Sequence, residues 1–158
     1  MNRAEWVTVI VAGFVAGTLD IGAAALINLV SPGRVLRFIA GGLLGKEALA
    51  GGALIALLGL VLQWAMSLLI AGVYVIASRW FPVMRRSWVV GGLCYGVVIF
   101  LVMNYVVVPL SAWARFPSFT ATTFIANLIA MLVFGLIVAF SARIKDSKLL
   151  ASRTDAVR

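Results

Sequence analysis

Histidine is absent from this chain, and cysteine occurs once, at Cys94. A zinc, haem or iron–sulfur centre built from the usual nitrogen and sulfur ligands is therefore not expected. Triads and dyads that need an imidazole are excluded with it, as is an internal disulfide. Charge is scarce too: 11% of residues are charged and only five are acidic, where soluble domains carry about 25% charged residues. Hydrophobic residues make up 64% of the chain, and its mean hydropathy is +1.14. A fold of 158 residues cannot hide that much apolar surface from water, so the composition predicts an all-α, polytopic membrane protein. The net charge of +8 is no sign of nucleic-acid binding here. The bases lie between and beyond the apolar runs, where membrane topology places them.

Four apolar segments are long enough to span about 30 Å as helices. They lie near 5–30, 50–78, 88–112 and 118–142, and predict one four-helix transmembrane domain over 1–142. The first contains Asp20 in the stretch "AGTLDIGAA". Its Leu, Ile, Val and Phe residues, at roughly −0.3 to −0.6 kcal/mol each, outweigh the roughly +2.5 to +3.5 kcal/mol of a central Asp. With four spans, nine Lys and Arg share a side with both termini and four (Arg34, Arg37, Lys46, Arg115) lie on the other. The excess puts both termini in the cytoplasm, and a bacterial inner membrane is the expected location. Residues 143–158 read as a polar, frayed cationic tail. Arg85 and Arg86 in the second loop read as lipid-interface residues, as do Arg34 and Arg37 in the first. Trp113 reads as part of an aromatic belt.

The first loop, "SPGRVLRFIAGGLLGKEAL", predicts a short interfacial or re-entrant helix within 31–45. Ser31 suits its N-cap and Pro32 its first position, with Gly41 and Gly42 ending it.

Few polar side chains lie inside the spans. On the first helix Gly13, Gly17, Asp20 and Ala24 form one narrow stripe, so small residues admit a neighbouring helix and Asp20 faces the bundle interior. Gly92 and Gly96 repeat the small-xxx-small spacing in the third span. Asp20, Gln63, Asn104 and Asn127, one per span, each lie about 15 residues from the cytoplasmic end, roughly 22–24 Å up. They form a predicted polar cluster, with Ser67, Tyr74 and Thr123 as supporting residues. An intramembrane acid is a functional-site hypothesis by default; the competing role is a hydrogen-bonded residue that fixes helix register.

The segments "GFVAGTLDIGAA", "LGLVLQWAMSLLIAGVYVIASRWFP" and "GGLCYGVVIFLVMNYVVVPLSAW" resemble a group of small bacterial inner-membrane proteins, and are distantly similar to the YagU-type family. The resemblance spans most of residues 10–142. It implies fold and location, and no defined substrate. That family carries histidines in its second and fourth helices, where this chain has Gln63 and Asn127.

Two functions are left in competition. The first is a non-catalytic accessory, assembly or structural component of the membrane, partnered by the lipid bilayer and by another membrane protein. The alternative is a proton- or cation-coupled small-solute transporter or channel, acting as a homo-oligomer through Asp20. An enzyme is not expected, because Ser111 and Ser118 have no evident base, and no cofactor or metal is expected.

Overall fold

The computed structural model describes residues 3–81, 84 and 86–155, and of residues 4 and 144–155 the backbone alone. Arg85 lies outside the described residues, as do the side chains of Lys145, Lys148 and Arg153 and all of Arg158. The described residues form helices α1 (Arg3–Asn28), α2 (Pro32–Leu44), α3 (Ala53–Trp80), α4 (Trp88–Leu110) and α5 (Ala121–Asp155). A 3-10 turn, Lys46–Ala50, joins α2 to α3. Four helices hold stretches long and apolar enough to cross a membrane: Glu5–Asn28, Ala53–Trp80, Trp88–Leu110 and Ala121–Arg143. Their outward faces carry large apolar side chains such as Leu26, Leu54 and Leu110, each more than three-quarters exposed. Apolar surface on that scale needs a non-aqueous covering.

Helix α1 packs between α3 and α5, and α4 packs on α5. The core fills the half of the bundle nearest the termini. Val9, Ala12 and Ala16 of α1 meet Ile70, Ala71 and Tyr74 of α3, Tyr95 and Ile99 of α4, and Phe134 and Val138 of α5. Small residues set these contacts. A Cβ on Gly13 would lie 2.8–3.0 Å from Leu68, and one on Gly17 would lie 2.5 Å from Ser67 Oγ. Gly92 and Gly96 press directly on the α5 backbone at Gly135, Met131 and Leu132. At the same end Arg79 forms an ion pair with Glu5, and the Arg143 guanidinium lies 5.7 Å from the Trp88 ring centre.

The far end is built differently. Helix α1 stops with Leu29 at φ 53°. There the Val30 N–H donates to Ala25 O and the Leu29 N–H to Leu26 O, the two bonds of a Schellman ending. Ser31 then caps α2, its hydroxyl accepting from the Arg34 N–H, with Pro32 in the first turn. Helix α2 does not end at Gly41 and Gly42 as the sequence suggests. It runs to Leu44 and stops at Gly45, whose φ of 79° suits glycine. Gly41 instead makes room for the Trp113 ring, and Gly59 of α3 lets the α2 backbone at Leu36 sit directly against it.

Helix α4 is not a regular α-helix throughout. Met103–Val107 forms a π turn, with the Val108 N–H donating to Met103 O. Pro109 follows at once. Proline offers no N–H and its ring crowds the carbonyl four residues back, and the wider turn relieves both problems. Helix α5 continues to Asp155, past the point where the sequence reads as a frayed tail. Residues 143–155 hold no Gly or Pro and are rich in good helix formers.

Candidate functional site

Beyond the closely packed terminal end, the helices line a cavity of about 640 Å³. That volume lies within the usual range of ligand sites. Asp20, Gln63, Asn104 and Asn127, one from each long helix, all line it. Among the described residues Asp20 has a single side-chain hydrogen bond, from Gln63 Nε2 at 2.8 Å. Asn104 Nδ2 donates to Phe100 O at 2.8 Å and Asn127 Nδ2 to Thr123 O at 2.7 Å.

These bonds fix which way each amide points. A backbone carbonyl only accepts, so the nitrogen of each asparagine must face it and the oxygen must turn away. The layer therefore presents a carboxylate and three amide oxygens. Its open acceptor lone pairs outnumber its open N–H groups about three to one. Such a layer suits a ligand that brings hydrogen-bond donors and positive charge. Among the described residues no three His, Cys, Asp or Glu side chains come together. The donor set is all oxygen, which suits an ammonium or a hard cation rather than a transition metal.

The cavity has three levels. Its floor is apolar, formed by Met66, Ile70, Ile99, Met131 and Phe134 around Ser67. The polar layer lies above it. The rim carries Arg34, Lys46 and Arg115 with Asn28. Trp113 and Phe38 also line the cavity, their rings stacked with centroids 4.6 Å apart. Trp113 is 8% exposed and its Nε1–H donates to Phe38 O at 3.1 Å. The Ala112 N–H donates to Gly42 O at 2.8 Å. Thus the α4–α5 loop ties α2 down beside the cavity mouth. Replacing Trp113 by alanine removes this tie and is expected to cost about 3 kcal/mol. Trp113→Phe keeps the stacking, loses one hydrogen bond, and should cost only about 1 kcal/mol. Thermal unfolding of the purified variants checks both.

A second depression of about 400 Å³ runs between α1 and α5, lined by apolar residues including Leu19, Ala23, Ile129 and Val133. It shares Asp20 and Phe134 with the main cavity. Asp20 is thus approached from the bundle interior and from the outer face of the α1–α5 pair.

The other sequence-derived residues fall in several places. Ser67 is buried, lines the cavity and packs on Gly17. Tyr74 lies outside the cavity, in the core, with its ring edge-on to Tyr95 at 5.0 Å. The Tyr95 hydroxyl donates to Ile70 O at 2.6 Å, while the Tyr74 hydroxyl has no partner among the described residues. Thr123 caps α5. Thr120 and Thr123 each accept the other's N–H at the helix start, a capping box. Arg34 and Arg37 part company. Arg34 is at the cavity rim, whereas the Arg37 guanidinium donates to Gly51 O at 2.9 Å and to Gly33 O. Arg86 is exposed. The sequence alone does not mark Lys46, Arg115, Asn28 or Trp113 as site residues; its one signal is that Lys46 and Arg115 share a side with Arg34 in the charge count.

Fold and site together define a class: a helical bundle with four candidate membrane-spanning helices around a ligand-sized cavity with a polar middle layer. No protein-family model, curated protein or solved structure matches the chain.

Proposed function

We propose that this chain is a non-catalytic integral membrane protein that takes up a small N–H-bearing cation into its cavity, as the binding unit of a membrane carrier. Asp20 is the counter-charge and Gln63 holds its carboxylate in place. What carries the reading is the convergence of one polar side chain from each long helix on a single cavity, with acceptors in excess. A bare metal ion is a poor fit to about 640 Å³, so an organic ammonium is favoured. The protein sits in a bacterial inner membrane with both termini in the cytoplasm, a placement supported by the nine-to-four division of Lys and Arg. The cavity then opens outward, and the glycine-lined contacts of α1 with α3 and α4 with α5 seal it from the cytoplasm.

The test is thermal unfolding of the purified protein in lipid nanodiscs, against a panel of small alkylamines. A ligand present at 100 times its Kd stabilises the folded state by about 2.7 kcal/mol. At least one amine is expected to raise the unfolding temperature, and to do so saturably. No stabilisation by any amine, together with a different polypeptide retained in native mass spectra of gently extracted protein, would favour the accessory-subunit role instead.

A further inference from the structure

Charge along the cavity is ordered by level, with the cations at the rim and the carboxylate below them. The rim carries Arg34, Lys46 and Arg115, and among the described residues Asp20 is the only acid that lines the cavity. Glu47 is exposed next to Lys46 and does not line it. Arg115 lies 5.2 Å from the Trp113 ring centre and forms no ion pair among the described residues. A simple monocation bound at Asp20 would have to pass three positive charges and stay near them. A simple anion would be held at the rim and repelled below, where acceptors dominate.

Distance completes the pattern. Asp20 and Asn28 lie two turns apart on α1, about 12 Å. Arg and Lys side chains reach several ångströms inward, so the gap between the two charge levels matches a short zwitterion. Beneath the polar layer, Gln63 and Ile70 are about 10 Å apart along α3, and that depth is lined by Ile and Phe with Met66 and Met131, whose flexible side chains fit varied apolar shapes.

We propose that the ligand is a zwitterionic amphiphile: an anionic group at Arg34, Lys46 and Arg115, an ammonium at the Asp20 layer, and a short apolar chain on the floor. This rests on the proposed binding function and deepens it, adding the anionic group and the tail.

Three probes of equal chain length separate the terms: N-hexyl-3-aminopropanesulfonate (zwitterion), N-hexylpropylammonium (cation) and hexanesulfonate (anion). Binding is measured by calorimetric titration of the full chain in an uncharged maltoside detergent. The zwitterion is expected to bind at least about tenfold more tightly than the cation, and the anion not to bind measurably. High salt should shrink the preference, because the rim is exposed. The triple variant Arg34→Gln, Lys46→Gln, Arg115→Gln should bring zwitterion and cation to equal affinity. Lys46→Gln alone changes an exposed turn residue and should shift the ratio in the same direction by a smaller factor. A cation that binds as tightly as the zwitterion, or a ratio untouched by the rim substitutions, overturns the zwitterion proposal and leaves the ammonium-binding reading standing. Failure of all three probes to bind overturns both.

Discussion

Replacing Gly135 by leucine is expected to abolish recovery of folded protein. A Cβ at Gly135 would overlap the Gly92 carbonyl oxygen and lie 2.8 Å from Gly96 N and 3.0 Å from Gly96 Cα. All three obstacles are backbone atoms, so no side-chain rotation relieves the clash. The contact is reciprocal. A Cβ on Gly92 would lie 3.0 Å from Gly135 O, and one on Gly96 would lie 2.6 Å from Met131 O and 2.8 Å from Leu132 Cα. Two helices therefore touch main chain to main chain, and a larger residue must drive them apart. Overpacking of a well-packed core costs about 1–3 kcal/mol even where side chains can yield. Here Gly135→Ala should cost about 3 kcal/mol, and Gly135→Leu more than the fold can bear. Gly22 of α1 is the control, since a Cβ there meets nothing within 4 Å. Gly22→Ala should be neutral or stabilise by up to about 1 kcal/mol, because alanine is the better helix former. Size-exclusion profiles and unfolding temperatures measure all three, and equal behaviour of Gly22→Ala and Gly135→Ala would refute the close contact.

Asp20→Asn is expected to fold normally and to lose ligand. Asparagine has almost the same shape, and its oxygen still accepts from Gln63 Nε2, so the α1–α3 hydrogen bond survives in neutral form. What disappears is the negative charge. A hydrogen bond to a charged group contributes about 1.5–3 kcal/mol against about 0.5–1.5 kcal/mol for a neutral one, and low dielectric around the cavity enlarges the difference. A loss of about 2–3 kcal/mol, roughly 30- to 150-fold in Kd, follows for an ammonium ligand. Asp20→Leu should behave differently. It leaves the Gln63 amide without its acceptor and should lower stability by about 1–3 kcal/mol as well. Calorimetric titration beside thermal unfolding separates the two effects. If Asp20 served register alone, Asp20→Asn would leave the titration unchanged.

Much of this architecture is legible in the sequence because it depends on length and hydropathy. The four apolar runs match the apolar stretches of the long helices to within a few residues, since hydropathy and helix rise together define a length able to cross a bilayer. The common depth of Asp20, Gln63, Asn104 and Asn127 is also a matter of counting, and all four line one cavity. Features that depend on three-dimensional fit were harder to read. The π turn at Met103–Val107 is a change in hydrogen bonding inside an unbroken apolar run, and only Pro109 hinted at it. Trp113 has the composition and position of a belt residue, yet it is buried against Phe38 and Gly41, a partnership that needs α2 folded back on α3. Gly135 and Ala139 repeat the four-residue small spacing of Gly92 and Gly96, but which spacings face one another depends on how the helices rotate. The three rim cations come from two loops, and their convergence on one opening is a property of the assembled bundle.

The proposed function requires the Asp20 carboxylate to be an open binding group rather than a sealed structural one. The direct measurement is modification of the protein in membranes by a hydrophobic carbodiimide, read by peptide mass spectrometry. The apolar α1–α5 groove gives an apolar reagent a path to Asp20 from the outer face of the bundle. Modification of Asp20, suppressed when an amine that stabilises the protein is present, is the predicted result. An Asp20 that stays unmodified, or one modified to the same extent with and without such an amine, would show a carboxylate that is sealed or has no role in binding.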